Sequence, residues 1–430
     1  MKKLVVLFAA LFLSAALAQE ISYWLWDANQ QPAYQECADN FNAENPDITV
    51  NITQQGWGDY WTGITTGFVS GTAPDVFTNH LARYPEFALN QQIVDIQPWV
   101  ERDGVATDIY AGELAELWTR DGARYGLPKD FDTIAVMYNQ AMLDAAGVTV
   151  EELNSVTWNP EDGGTFEEII AKLSLDGNGN NGLSPDFDPN DVVQYGYLST
   201  NNADAYGQTS WSLFAASTGW EFNNGLWGDE YNYDDPRFIA TIQWFADLIE
   251  KGYAPGYDLV STTEPNALFS AGQGALSTDG SWQIGTYLGN SDFEVGFASI
   301  PAGPEGKRSM FNGLADSIWT GSSNQDAAWE WVKYAASPAC QEVVGSYAVV
   351  FPAVPSATEI AVQARAEEGV DVTAFTDLID TPGQTFLFPV TDNAAQIADI
   401  MTSAMESVFL GQQDAATALP AANEEVNALF

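Results

Sequence analysis

Fifteen Trp and seventeen Tyr stand out in this 430-residue chain more than any catalytic motif does. Several Trp sit beside glycines or turns rather than inside periodic runs: Trp57 after Gly56, Trp220 after Gly219, Trp227 before Gly228, and Trp282 after Gly280-Ser281, with Trp211 nearby. A ring at a strand end or turn is placed to be presented. The apolar faces of a pyranose stack on such rings, while its hydroxyls need fixed polar partners. Asp27, Asp75, Asn79, Asp130, Asp132 and Asn312 are candidates for those partners. The competing reading is that a given Trp is simply core.

Catalytic signatures are thin. His80 is the only histidine, which excludes multi-histidine metal sites. No nucleophile elbow, P-loop or dinucleotide fingerprint occurs. A carboxylate pair for glycoside hydrolysis stays open, because 59 acidic residues allow many pairs and the required separation is spatial. The stretch DGNGNNG, from Asp176, resembles the start of a calcium loop with oxygens on Asp176, Asn178 and Asn180. Asn181 stands where the loop needs glycine and Phe187 where it needs Glu, so a polar turn competes with a structural calcium site. No other cofactor is expected.

These residues need a scaffold. Residues 21–77 read strand, helix, strand, helix, strand: ISYWLWD alternates, and Ala33, Tyr34, Cys37, Ala38 and Phe41 recur at helical spacing. Asn45-Pro46 stops that helix. Ile48, Val50 and Ile52 alternate again. Tyr60, Trp61, Ile64, Phe68 and Val69 form a second helical face closed at Gly71, and PDVF opens a third strand. In open α/β sheets, ligands bind beyond the carboxyl ends of the strands. Further on, LPKDFDT separates two apolar runs and reads as a strand pair or a domain crossing. Thr165 and Glu168 predict a capping box at a helix start.

Residues 1–18 predict a cleavable export signal, with Lys2 and Lys3, an apolar run, then Ala16-Leu17-Ala18. The apolar run is shorter than the roughly 20 residues of a membrane span, and no later segment is apolar enough. A periplasmic or extracellular, soluble protein follows, with two domains expected at this length. The net charge of −45 disfavours nucleic acid and anionic membrane as partners. It otherwise speaks to solubility rather than fold. Two cysteines, Cys37 and Cys340, suggest one disulfide in an oxidising compartment; two buried thiols are the alternative.

Together the pieces ITVNITQQGWGDYWTGITTGFVSGTAPDVF, RYGLPKDFDTIAVMYN, GTFEEIIAKL, ALFSAGQGALSTDGSW and SMFNGLADSIW ahead of AAWEWVKYAASPACQEVV, in that order, resemble the sugar-binding, maltose-binding-protein-like solute-binding proteins of ABC importers. The resemblance runs from about residue 21 to the C-terminus. It implies an α/β fold of two lobes, each a mostly parallel sheet flanked by helices, joined by three crossings. Lobe one would be 19–130 and 296–347, and lobe two 131–295 and 348–430. The crossings would lie at LPKDFDT, at Phe293-Glu294-Val295 and at 347–351. It also puts Cys37 and Cys340 in one lobe, which favours their disulfide. The implied ligand set is Trp26, Asp27, Trp57, Asp75, Asn79, His80, Lys129, Asp130, Phe131, Trp211, Gly280, Trp282, Asn312 and Gly313. The implied function is that of a monomeric, non-enzymatic carrier bringing a neutral mono- or oligosaccharide to an ABC permease. The alternative is a secreted carbohydrate-active enzyme with paired carboxylates.

Overall fold

A computed structural model describes residues 18–200 and 204–430. The export signal read at 1–18 therefore lies almost wholly outside the described residues. The first lobe begins as its periodicity predicts: β1 (Gln19–Leu25), α1 (Gln31–Glu44), β2 (Ile48–Gln54), α2 (Trp57–Ser70) and β3 (Val76–Asn79). Ala33, Tyr34, Cys37, Ala38 and Phe41 form the buried face of α1. Gly71 ends α2 in the left-handed conformation that glycine tolerates best (φ +74°). β1 pairs parallel with both β2 and β3, and the strand Ala315–Ile318 joins β3 antiparallel at the edge.

The second sheet has the order 295–298, 134–139, 274–280, 192–197, 175–176. Only the pairing of Gly274–Gly280 with Val192–Tyr197 is parallel there; the others are antiparallel. The mostly parallel expectation thus describes the first lobe alone. Val295–Ala298 pairs with residues 136–139 of this second sheet, so the chain has not yet left the lobe at 293–295. The second crossing lies instead where Asn312 bridges Asp132 and Ala315 bridges Pro128. The first and third crossings pair with each other: Phe351 and Pro352 lie antiparallel to Phe131 and Asp130. Three extended segments side by side form the joint.

After the third crossing, helix Pro355–Glu367 packs on Pro338–Tyr347 of the first lobe. A Cβ on Gly345 would come within 2.4 Å of the Ala357 carbonyl oxygen, and the Arg365 guanidinium donates to the Ala348 carbonyl. Cys37 on α1 and Cys340 on Pro338–Tyr347 are joined as a disulfide, Cα–Cα 5.3 Å.

The predicted capping box at Thr165 does not form. Helix Gly164–Leu173 starts one residue earlier, and the Thr165 hydroxyl accepts from the Thr157 N–H at 2.9 Å. A reciprocal box exists at Thr149 and Glu152 instead. Asp176 lies in a turn held by its own neighbours. Its carboxylate accepts from the backbone N–H groups of Asn178, Asn180 and Asp188 and from the Asn180 side chain. These N–H groups surround the carboxylate that a calcium ion at Asp176, Asn178 and Asn180 would use. Among the described residues no group of three His, Cys, Asp or Glu is placed to hold a metal.

Candidate functional site

A cleft of about 810 Å³ opens between the lobes. Its first-lobe wall is built from the carboxyl ends of the parallel strands. Trp26 and Asp27 follow β1, His80 follows β3, and Trp57 opens α2. Trp57 is 50% exposed. It is held nearly perpendicular to Trp26 and Trp61, with ring centroids 5.0 and 5.4 Å away, which fixes the ring without covering it. Asp27 accepts from the Asn29 N–H at 2.8 Å and from the Gln30 side chain at 3.0 Å. Burial raises its pKa.

His80 Nδ1 accepts from the Ala82 N–H at 3.1 Å, and the Asn312 amide lies 3.2 Å from Nε2. A neutral imidazole accepts at one nitrogen only, so with Nδ1 accepting from Ala82 the proton sits on Nε2. Burial, then the Arg83 charge, lowers the His80 pKa to about 4, so the ring is neutral near pH 7. At the floor, Asp132 accepts from the Ser281 hydroxyl at 3.0 Å, and burial holds its pKa well above the usual carboxylate range.

The second lobe contributes Trp282, Tyr206, Asp204, Glu264 and Asp279, with Phe388 from the segment after the third crossing. Tyr206 and Phe388 lie 4.6 Å apart. Asp279 accepts from the Gly280 N–H at 2.8 Å and the Tyr287 hydroxyl at 3.1 Å, and burial pushes its pKa up to about 7. Five carboxylates and one guanidinium, that of Arg83, line the cleft. Those of the five that are ionised disfavour an anionic ligand. Hydroxyl donors suit these acceptors, and charge-assisted hydrogen bonds strengthen once water is expelled.

Of the ligand set drawn from the resemblance, Trp26, Asp27, Trp57, His80, Trp282 and Asn312 line the cleft. The other eight lie elsewhere. Asp75 precedes β3 and so sits at the amino end of the sheet, away from the cleft. Its carboxylate accepts from the Ser22 N–H and the hydroxyls of Ser22 and Ser322. Asn79 is buried and donates to the Ser317 hydroxyl. Lys129 is buried against Asp316, Tyr23 and Thr78 in the first-lobe core. Asp130 Oδ1 accepts from the Leu314 N–H, inside the joint, and burial raises its pKa. Phe131 stacks on Phe351 at 5.6 Å. Trp211 is core, with Phe238 5.1 Å away. Gly280 makes room: its Cβ would fall 1.8 Å from the Trp282 ring. Gly313 packs against the Asp130 carbonyl in the same way.

Sequence reasoning missed Arg83, Asp204, Tyr206, Glu264, Asp279 and Phe388. Asp279 lies within the quoted ALSTDGSW segment, one residue before Gly280, and was the most findable. Tyr206 and Phe388 sit in irregular stretches where periodicity carries no signal.

Two α/β lobes on three crossings, with a ring-walled cleft between them, define a two-lobed solute-binding protein. No helix among the described residues is long and apolar enough to cross a membrane. The chain belongs to the bacterial extracellular solute-binding protein family, which it matches over residues 27–342, and its likenesses fall in the sugar-binding, maltose-binding-protein-like branch of the ABC importers. It is 24% identical over 422 residues to a putative binding protein of Brucella abortus, covering 94% of this chain and 91% of that one. It is 23% identical to the maltodextrin-binding protein MdxE of Bacillus subtilis, covering 90% and 84%. The solved structure of the ABC substrate-binding protein Lmo0181 of Listeria monocytogenes in complex with cycloalternan superposes with a TM-score of 0.81 at 20% identity, over 96% and 99% of the two chains.

Proposed function

We propose that this chain is the extracytoplasmic binding component of an ABC importer, that it captures a neutral mono- or oligosaccharide in the interlobe cleft as a monomer, and that it delivers the sugar to the permease without chemical change. The observation that carries this reading is that Trp57 and Trp26 from one lobe and Trp282 from the other line a cleft rich in polar side chains, whose charged groups are five acids and one arginine. Rings supply stacking faces, and Asp27, Asp132 and Asp279 supply acceptors for hydroxyls. The names of MdxE and of the cycloalternan complex point to the same ligand class. Delivery is consistent with the family, whose members serve importers.

A thermal-shift screen against neutral sugars and uronates tests it. A neutral sugar at 100 times its Kd should add about 2.7 kcal/mol of stability. Uronates should add less, because the ionised acids of the cleft disfavour them. If only uronates stabilise the protein, the reading fails. Turnover of a glycoside by the purified protein would instead establish the paired-carboxylate enzyme.

A further inference from the structure

Outside the cleft, one contact set joins the lobes directly. The first lobe contributes the hairpin Thr119–Arg120 and Ala123–Arg124, turned at Asp121 and Gly122, both with positive φ. The second contributes Trp227 and Asp392. The Trp227 indole N–H donates to the Thr119 carbonyl at 3.1 Å. The Arg120 guanidinium lies 4.6 Å from the centre of that indole and grips both Asp392 oxygens, with Nη2 to Oδ2 at 2.5 Å. Tyr84 meets the same indole edge-on at 5.8 Å, and the Trp227 backbone N–H donates to the Val390 carbonyl. Arg120 and Asp392 are only 26% and 29% exposed, so their pairing is screened less than a surface pair.

Trp227 has φ +59°. A bulky residue in the left-handed region is strained and persists only where its surroundings over-determine it. Here the contacts on its side chain, from Thr119, Arg120 and Tyr84, come from the opposite lobe. Neither Trp227 nor Arg120 lines the cleft, yet Arg83, next to Tyr84 in sequence, and Phe388, two residues before Val390, do.

We propose that Arg120, Trp227 and Asp392 form a clamp that sets ligand affinity by favouring the closed arrangement of the lobes, as positioning residues that never touch the ligand. A contact made only when the lobes are together shifts the open–closed equilibrium toward the binding-competent state, and apparent affinity rises with that population. The affinity arm of this proposal rests on the sugar reading above; the shape arm does not.

The test uses Arg120→Glu, Asp392→Arg and the double swap, measured by X-ray scattering without sugar and by calorimetric titration with maltotriose. Each single variant should show a larger radius of gyration than wild type and about a tenfold weaker maltotriose affinity. The double swap should restore both. Trp227→Phe keeps the ring but loses the N–H to Thr119, and should move both readouts the same way by less. Sugar-free melting confirms that the lobes stay folded. Should maltotriose fail to bind wild type, the sugar reading is weakened while scattering alone decides the clamp. Unchanged radii in both single variants, or losses that the swap does not restore, overturn it.

Discussion

Opening the Cys37–Cys340 bridge, by reduction or by a Cys37→Ala, Cys340→Ala double variant, should cost about 5 kcal/mol of stability. The two cysteines are 303 residues apart. In the chain-entropy account, a cross-link stabilises by restricting the unfolded chain, and the effect grows with the logarithm of the enclosed loop, which places this bridge near the top of the observed range. The bridge pins α1, near the start of the first lobe, to helix Pro338–Tyr347, which enters that lobe after the second crossing. Both cysteines are buried, so reduction should require partial opening. The expected signature is a melting temperature that falls sharply under reductant, with sugar binding intact below the new transition. A loss under about 1 kcal/mol would mean that helix packing alone holds the junction.

Lys129→Met should be comparably destabilising, at about 3–5 kcal/mol, without a specific effect on the cleft. The Lys129 ammonium lies 3.2 Å from Asp316 Oδ1, donates to the Tyr23 hydroxyl at 2.8 Å and the Thr78 hydroxyl at 3.0 Å, and sits 3.8 Å from the centre of the Tyr34 ring. Tyr23 and Thr78 in turn reach the same Asp316 oxygen. Removing the cation strands a buried carboxylate. Adding Asp316→Asn should recover much of the loss. Full stability together with lost sugar affinity would return Lys129 to the ligand set.

The first βαβαβ run was legible because its apolar residues keep clean periods of 2 and 3.6, and Gly71 and Asn45-Pro46 punctuate it. Which face of the sheet a residue occupies was legible; which end was less so. Asp75 and Asp27 look alike in sequence, but one precedes its strand and the other follows it, and only the carboxyl end borders the cleft. Glycine beside tryptophan proved ambiguous. It marks the presented Trp57, yet Gly207 stands beside the core residue Trp211 because the ring needs its space, a Cβ there falling 2.1 Å from the indole. The second crossing was misplaced because Val295–Ala298 returns to the second sheet, a long-range pairing that no local pattern encodes. Phe388 reaches the cleft by the same kind of distant pairing: Thr385–Leu387 lies alongside Ser309–Phe311.

The central claim is that a sugar stacks on rings facing the interlobe cleft. Calorimetric titration of wild type, Trp57→Ala and Trp282→Ala with the sugar giving the largest thermal shift tests it most directly, with ligand-free melting measured alongside. The account predicts an affinity loss of about 2 kcal/mol for each variant, roughly thirtyfold. Ligand-free melting of Trp57→Ala should stay close to wild type, because that ring is already half exposed. Unchanged affinity in both variants, with a ligand-free loss of the ~3–5 kcal/mol expected for a core Trp, would contradict it.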